Sequence, residues 1–128
     1  MSADAARHWA DTWARAWREH DAEAIAALYA DNCLFRSEPF RDPDDPGRYA
    51  RWAFADEAAA KVRFGRPIVA GDRATVEYWA VSTSHDGREE TIAGVSLLRF
   101  GADGLVVEQR DYWNTSPGAR EPHEQFGR

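Results

Sequence analysis

The chain has a single cysteine, Cys33, in 128 residues. No internal disulfide can staple the fold, and no nucleophile pattern surrounds that thiol, so a small buried side chain is expected there. Positive charge is in deficit: 16 Lys and Arg stand against 22 Asp and Glu, a net charge of −6. That is the wrong sign for a nucleic-acid surface, where phosphates need a basic face. No apolar run is long enough for a membrane-spanning helix, so no membrane partner is expected. The opening MSADAARHWADTW has no apolar core of a secretory signal, and a cytoplasmic protein is expected. His8, His20, His85 and His123 show no metal-ligand spacing to one another or to Cys33, so no metal is expected. A Gly-rich phosphate loop and the GxSxG of a nucleophile elbow are both missing, and no cofactor is implied.

What is present is a chain of one-domain length with 44% hydrophobic residues and six tryptophans, enough to bury a core. Ser2 to Glu19 reads as an amphipathic helix. Trp9, Trp13 and Trp17 fall at i, i+4 and i+8 with Ala6, Ala10 and Ala16 near them on the wheel. Three indoles on one stripe form a bulky wall, either of a core or of a ligand cavity. Asp21 is placed to cap a second helix, Ala22 to Tyr29. Cys33 to Arg36 reads as a short strand. Ser37 to Gly47 is a loop, because Pro39, Pro43 and Pro46 among charged residues fit neither a central strand nor a helix interior. Arg48 to Phe54 reads as a short helix. Four strands follow, Ala59 to Val69, Ala74 to Thr83, Glu89 to Phe100 and Leu105 to Asn114, joined by the turns Gly71-Asp72, Asp86-Gly87 and Gly101 to Gly104. Short turns between successive strands predict an antiparallel meander. The whole is an α+β pattern over 1–114 with a tail over 115–128, either disordered or folded over a neighbour.

The last hairpin, Thr91 to Asn114, organises this pattern. Pairing Phe100 with Leu105 puts Phe100, Leu98, Leu105, Val107, Ser96, Gln109, Gly94, Asp111, Ile92 and Trp113 on one face. That face is apolar near the turn and mixed away from it, as when one end of a sheet closes a core and the other lines a pocket. The opposite face carries Arg99, Leu97, Val95, Val106, Glu108, Arg110 and Tyr112, with Arg99 near Glu108. A one-residue slip or a bulge would exchange the faces.

The order of elements and three stretches resemble the nuclear transport factor 2-like superfamily, and within it the SnoaL-like proteins. The stretches are WARAWREHDAEAIAALYADNCLF (Trp13 to Phe35), GRPIVAGDRATVEYWAV (Gly65 to Val81) and AGVSLLRFGADGLVVEQRDYWN (Ala93 to Asn114). The resemblance implies a cone-shaped barrel in which a curved, mostly antiparallel sheet wraps the N-terminal helices. It also implies a pocket at the open end and a homodimer through the outer sheet face. Such a fold hosts isomerases, cyclases, epoxide hydrolases, dehydratases and binding modules alike. Against the steroid isomerases, the oxyanion-donor position looks like Trp13 and the general-base position like Ser37 or Glu38, so that residue set is not kept. Against the SnoaL-type cyclases, Asp111 matches the pocket acid of the last strand. Against the epoxide hydrolases, which need an Asp-Arg-Asp set on neighbouring strands, Asp111 supplies one corner only.

Two candidate acids result. Asp111 has Gly94, Ser96, Gln109 and Trp113 around it on the paired face. A carboxyl among apolar walls is raised in pKa, as a general acid or base requires; the alternative is a structural ion pair with Arg36 or Arg110. Glu38 precedes Pro39, which biases it to an extended conformation and a place at the pocket mouth. Trp9, Trp13, Trp17, Tyr78, Ser96, Gln109 and Trp113 are the expected ligand-contacting set. The expected ligand is a small apolar molecule, and the expected function is either metal-free acid–base chemistry or non-catalytic binding and dimerisation.

Overall fold

The structure, a computed structural model, describes residues 2–128. The indole stripe does form one face of α1 (Ser2–Glu19), where Ala6, Trp9, Ala10, Trp13 and Ala16 are buried. The helix stops at His20, whose φ of 56° is left-handed. Asp21 then caps the short α2 (Ala22–Ala26) by accepting a hydrogen bond from the Ala24 amide, satisfying one of its orphan donors. The sequence expectation carried this helix to Tyr29. Instead Tyr29 opens β1 (Tyr29–Arg36), because its ring is needed in the core at 7% exposure. After the proline-bearing loop, Asp45 caps α3 (Pro46–Ala55) with Pro46 in its first turn, the position where a missing N–H costs nothing.

The sheet follows: β2 (Glu57–Phe64), β3 (Ile68–Ala70), β4 (Arg73–Ser84), β5 (Glu89–Phe100) and β6 (Val106–Pro117). The expected strand Ala59 to Val69 is thus two, broken around Pro67. The order is β1-β6-β5-β4-β2, with β3 pairing β4. Every pair is antiparallel except β1 on β6. The expected barrel is not closed: β1 and β2 remain edges of an open, curved sheet. Gly94 lies opposite Trp113, and a Cβ there would stand 2.5 Å from Trp113 Cβ, so only glycine fits without a shift.

The hairpin register departs from simple alternation at one place. Arg99 pairs Glu108 but Phe100 pairs Val106, so Val107 is a bulge. Past the bulge Ser96 lies opposite Asp111 and Gly94 opposite Trp113, and the inward face is as expected. Before it the faces exchange: Val106, expected outside, is core at 1% exposure.

The tail was expected from 115, but β6 runs to Pro117 and the remainder straps the chain's own sheet. The Thr91 hydroxyl donates to the Gly118 carbonyl and the Trp79 indole to the Arg120 carbonyl. His123 and Phe126 pack edge-on against Trp79, and the Gly127 amide donates to Glu77.

Candidate active site

Between α1, α3 and the inner sheet face lies a cavity of about 290 Å³, at the small end of the range for small-molecule sites. Trp9, Trp13, Trp17, Tyr78, Ser96, Gln109, Asp111 and Trp113 all line it, with Tyr49, Phe54, Phe64, Arg41 and Glu57. The indole wall therefore serves both as core and as cavity lining. Trp9 meets Phe64 edge-on, and Tyr78 stacks on Phe64 at 5.5 Å. Glu38 is elsewhere. It borders a groove on the outer sheet face with Pro39 and Phe40, because the chain turns outward after β1, and it approaches the Arg41 guanidinium at 3.6 Å.

Asp111 is half-buried, enclosed by the fold while facing the cavity. The structural ion pairs open to it in the sequence do not form. Arg110 pairs Glu108, Arg36 donates to the Arg41 carbonyl, and among the described residues no cation lies within 4 Å of Asp111. Burial pushes its carboxyl up to about 7, against the opposing pull of hydrogen bonds from Ser96 and Gln109. Desolvation wins because the partners are neutral dipoles and none is a full charge.

A buried polar chain backs this acid. The Trp9 and Trp13 indoles donate to the Tyr29 hydroxyl at 3.1 and 2.9 Å. Tyr29 donates to Gln109 Oε1 at 2.5 Å. Gln109 Nε2 donates to both Asp111 oxygens at 3.0 and 3.2 Å. Burial raises the Tyr29 phenol far above its ordinary value, and Tyr78 is raised likewise, by burial first and the Asp111 charge second.

A second acid, Glu57, escaped the sequence reading. It is 8% exposed and accepts from the Trp17 indole at 3.1 and 3.2 Å, from Ser82, and from His20 Nε2 at 2.8 Å. His20 in turn stacks on Phe54. The partners lie 25 to 40 residues away, so local pattern carried no trace of them. The Glu57 carboxylate reaches the Ser82 hydroxyl, while Asp111 sits on the rung of Ser96 and Val76. Six residues of β4 separate Ser82 from Val76, about 20 Å along an extended strand. The two acids are opposite ends of one cavity.

At the mouth, Arg41 stacks between Trp52 and Trp113 at 5.6 Å from each ring centroid and donates to Ser37 Oγ. Among the described residues it is the one arginine of the lining, and it comes from a loop, so they form no Asp-Arg-Asp set of neighbouring strands there.

The sequence pattern of the SnoaL-like domain matches residues 10–109. The chain belongs to the SnoaL-like domain family. No curated protein matches this SnoaL-like chain, but solved structures do. The epoxide hydrolase/cyclase-like enzyme SalBIII, described for pyran ring formation in the polyether salinomycin, is similar with a TM-score of 0.77. It is 16% identical, over 90% of this chain and 96% of that one. A protein from Catenulispora acidiphila with a ketosteroid isomerase-like fold, solved with trimethylamine, has a TM-score of 0.71 at 18% identity, over 81% and 83%. An LEH-like epoxide hydrolase from M. tuberculosis has a TM-score of 0.67 at 16% identity, over 86% and 82%. At these identities the likeness establishes the fold. Among the described residues no helix is long and apolar enough to cross a membrane.

Proposed function

We propose that this SnoaL-like chain binds a small, largely apolar, ring-bearing molecule in the aromatic cavity, and that Asp111 exchanges a proton with it. The observation that carries the reading is a carboxyl raised to about 7 at the cavity wall with no cation beside it. Such a group is half-ionised near neutral pH and can act as acid or base without help. The chain behind it ends in two indoles, which donate and never accept, so it cannot carry a proton to solvent. Asp111 is thus suited to a reaction that returns to the ligand the proton first taken, as in an isomerisation or cyclisation. Arg41 and the tyrosine hydroxyls of Tyr49 and Tyr78 stand in the same lining for a ligand oxygen.

The test is a screen of ring-bearing carbonyl compounds and epoxides against wild type and Asp111→Asn. Quenching of the tryptophans reports binding, and product formation reports turnover. Turnover by wild type and binding without turnover by the variant are expected. Equal turnover by both would sink the catalytic role. Binding without turnover across the panel would leave the non-catalytic binding module.

We also propose that copies pair through the part of the outer face the tail leaves bare, around Val95, Leu97 and the 45%-exposed Tyr112. Sedimentation at micromolar concentration is expected to give a dimer; a monomer would remove this element.

A further inference from the structure

The Tyr29–Gln109 chain has a forced polarity, and its far end is the candidate acid. An indole nitrogen has one hydrogen and no acceptor site. Trp9 and Trp13 therefore both donate to the Tyr29 oxygen, filling its two lone pairs. The single phenolic hydrogen is left for Gln109 Oε1. With its oxygen so engaged, the Gln109 amide can present only its NH2 to Asp111. An amide's orientation is ordinarily a free choice between two flips. Here the donor-only end of the chain, with Trp9 and Gln109 each 1% exposed, admits one.

We propose that Tyr29 is a positioning residue that, by locking Gln109, sets the pH at which Asp111 gives up its proton. This rests on the reading of Asp111 as the acid–base group. An N–H donor facing the carboxyl favours the carboxylate; an amide oxygen in that place would favour the protonated acid. The other groups facing Asp111 cannot substitute. They are Ser96 from β5, Tyr49 from α3, Tyr78 from β4 and indoles from α1 and β6. The tyrosines are held protonated by burial, and Arg41 acts on Tyr49 from the loop without pairing Asp111.

The test follows the Asp111 side-chain carboxyl by carbon NMR from pH 4 to 10, its signal assigned by loss in Asp111→Asn. Tyr29→Phe frees the amide to turn, and Gln109→Met removes the donor. Both are expected to raise the Asp111 midpoint by about one pH unit, a tenfold gain in proton affinity. A rise in Gln109→Met with no change in Tyr29→Phe would overturn the role of Tyr29. Two orphaned indole hydrogens make Tyr29→Phe the variant at risk of not folding, so a second measurement uses wild type alone. The Gln109 side-chain NH2 signals are expected to move with the Asp111 midpoint. Signals that stay still through that titration would mean the amide presents its oxygen, and the proposal fails. A wild-type midpoint near 4 would instead remove the catalytic reading of Asp111, and leaves the comparison between variants intact.

Discussion

The two ends of the cavity hold one carboxylate each, and they are provisioned differently. Glu57 at one end receives an indole, a hydroxyl and a histidine nitrogen, and it ties α1, the α1–α2 junction, β2 and β4 into a single knot. Asp111 at the other end receives an amide and a serine hydroxyl and, among the described residues, has no cation within 4 Å. Both are withdrawn from bulk water. The number and charge of the donors separates a carboxylate that holds the scaffold from the one proposed to exchange a proton.

The sharpest way to break that contrast is turnover. With a substrate from the screen in hand, Asp111→Asn is expected to lose about 10²–10⁴-fold in kcat, the range of one acid–base group. Glu57→Gln, which keeps shape and an acceptor, is expected to keep most activity. Equal losses would mean that the ends are not distinct. Stability should invert the ranking. Glu57→Ala orphans three half-buried partners and is expected to cost about 2 kcal/mol in urea denaturation. A loss under about 1 kcal/mol would demote the knot to a surface contact.

The next effect is a pH dependence. The Asp111 carboxyl is raised from 3.8 unfolded to about 7 folded. Near pH 3 and below, both states hold the proton and the group is neutral to stability. As pH rises toward 7 the unfolded chain ionises first, so stability is lost through that window and stays lost above it. Asp111→Asn is therefore expected to gain on wild type by about 4 kcal/mol between pH 3 and pH 8. A difference that does not change with pH would show that burial does not raise the acid. The smallest effect is at the mouth: Arg41→Met removes the guanidinium between Trp52 and Trp113. A stability change of about 0.5–1 kcal/mol and faster ligand release by stopped flow are expected. Unaltered release would show that the stack does not gate the cavity.

Where neighbouring residues decide the outcome, the sequence was readable. The i, i+4, i+8 tryptophans gave α1 and the cavity wall. Alternation along β5 and β6 put Ser96, Gln109, Asp111 and Trp113 inside, and turn glycines marked the hairpins. What failed depends on distant contacts. Glu57 looked like one more acid beside Asp56, since nothing local announces Trp17, His20 and Ser82. Tyr29 continued a helical pattern because the pull of Trp9, Trp13 and Gln109 is invisible from its neighbours. Glu38 was misplaced by the direction of one loop, and Val106 by one bulged residue.

The lone parallel pairing has a kinetic corollary. β1 and β6 meet across the length of the chain, and the Tyr29–Gln109 hydrogen bond spans 80 residues. Closing so long a loop is paid for in chain entropy before any contact repays it. The antiparallel β4–β5–β6 meander can zip from its short turns, but the acid's backing waits for the last strand to find the first. During synthesis, α1 and β1 leave the ribosome long before β6 exists, with Trp9, Trp13 and Tyr29 bare. The Asp111 end of the cavity should be the final part of the molecule to mature, and the first whose yield suffers when nascent chains linger.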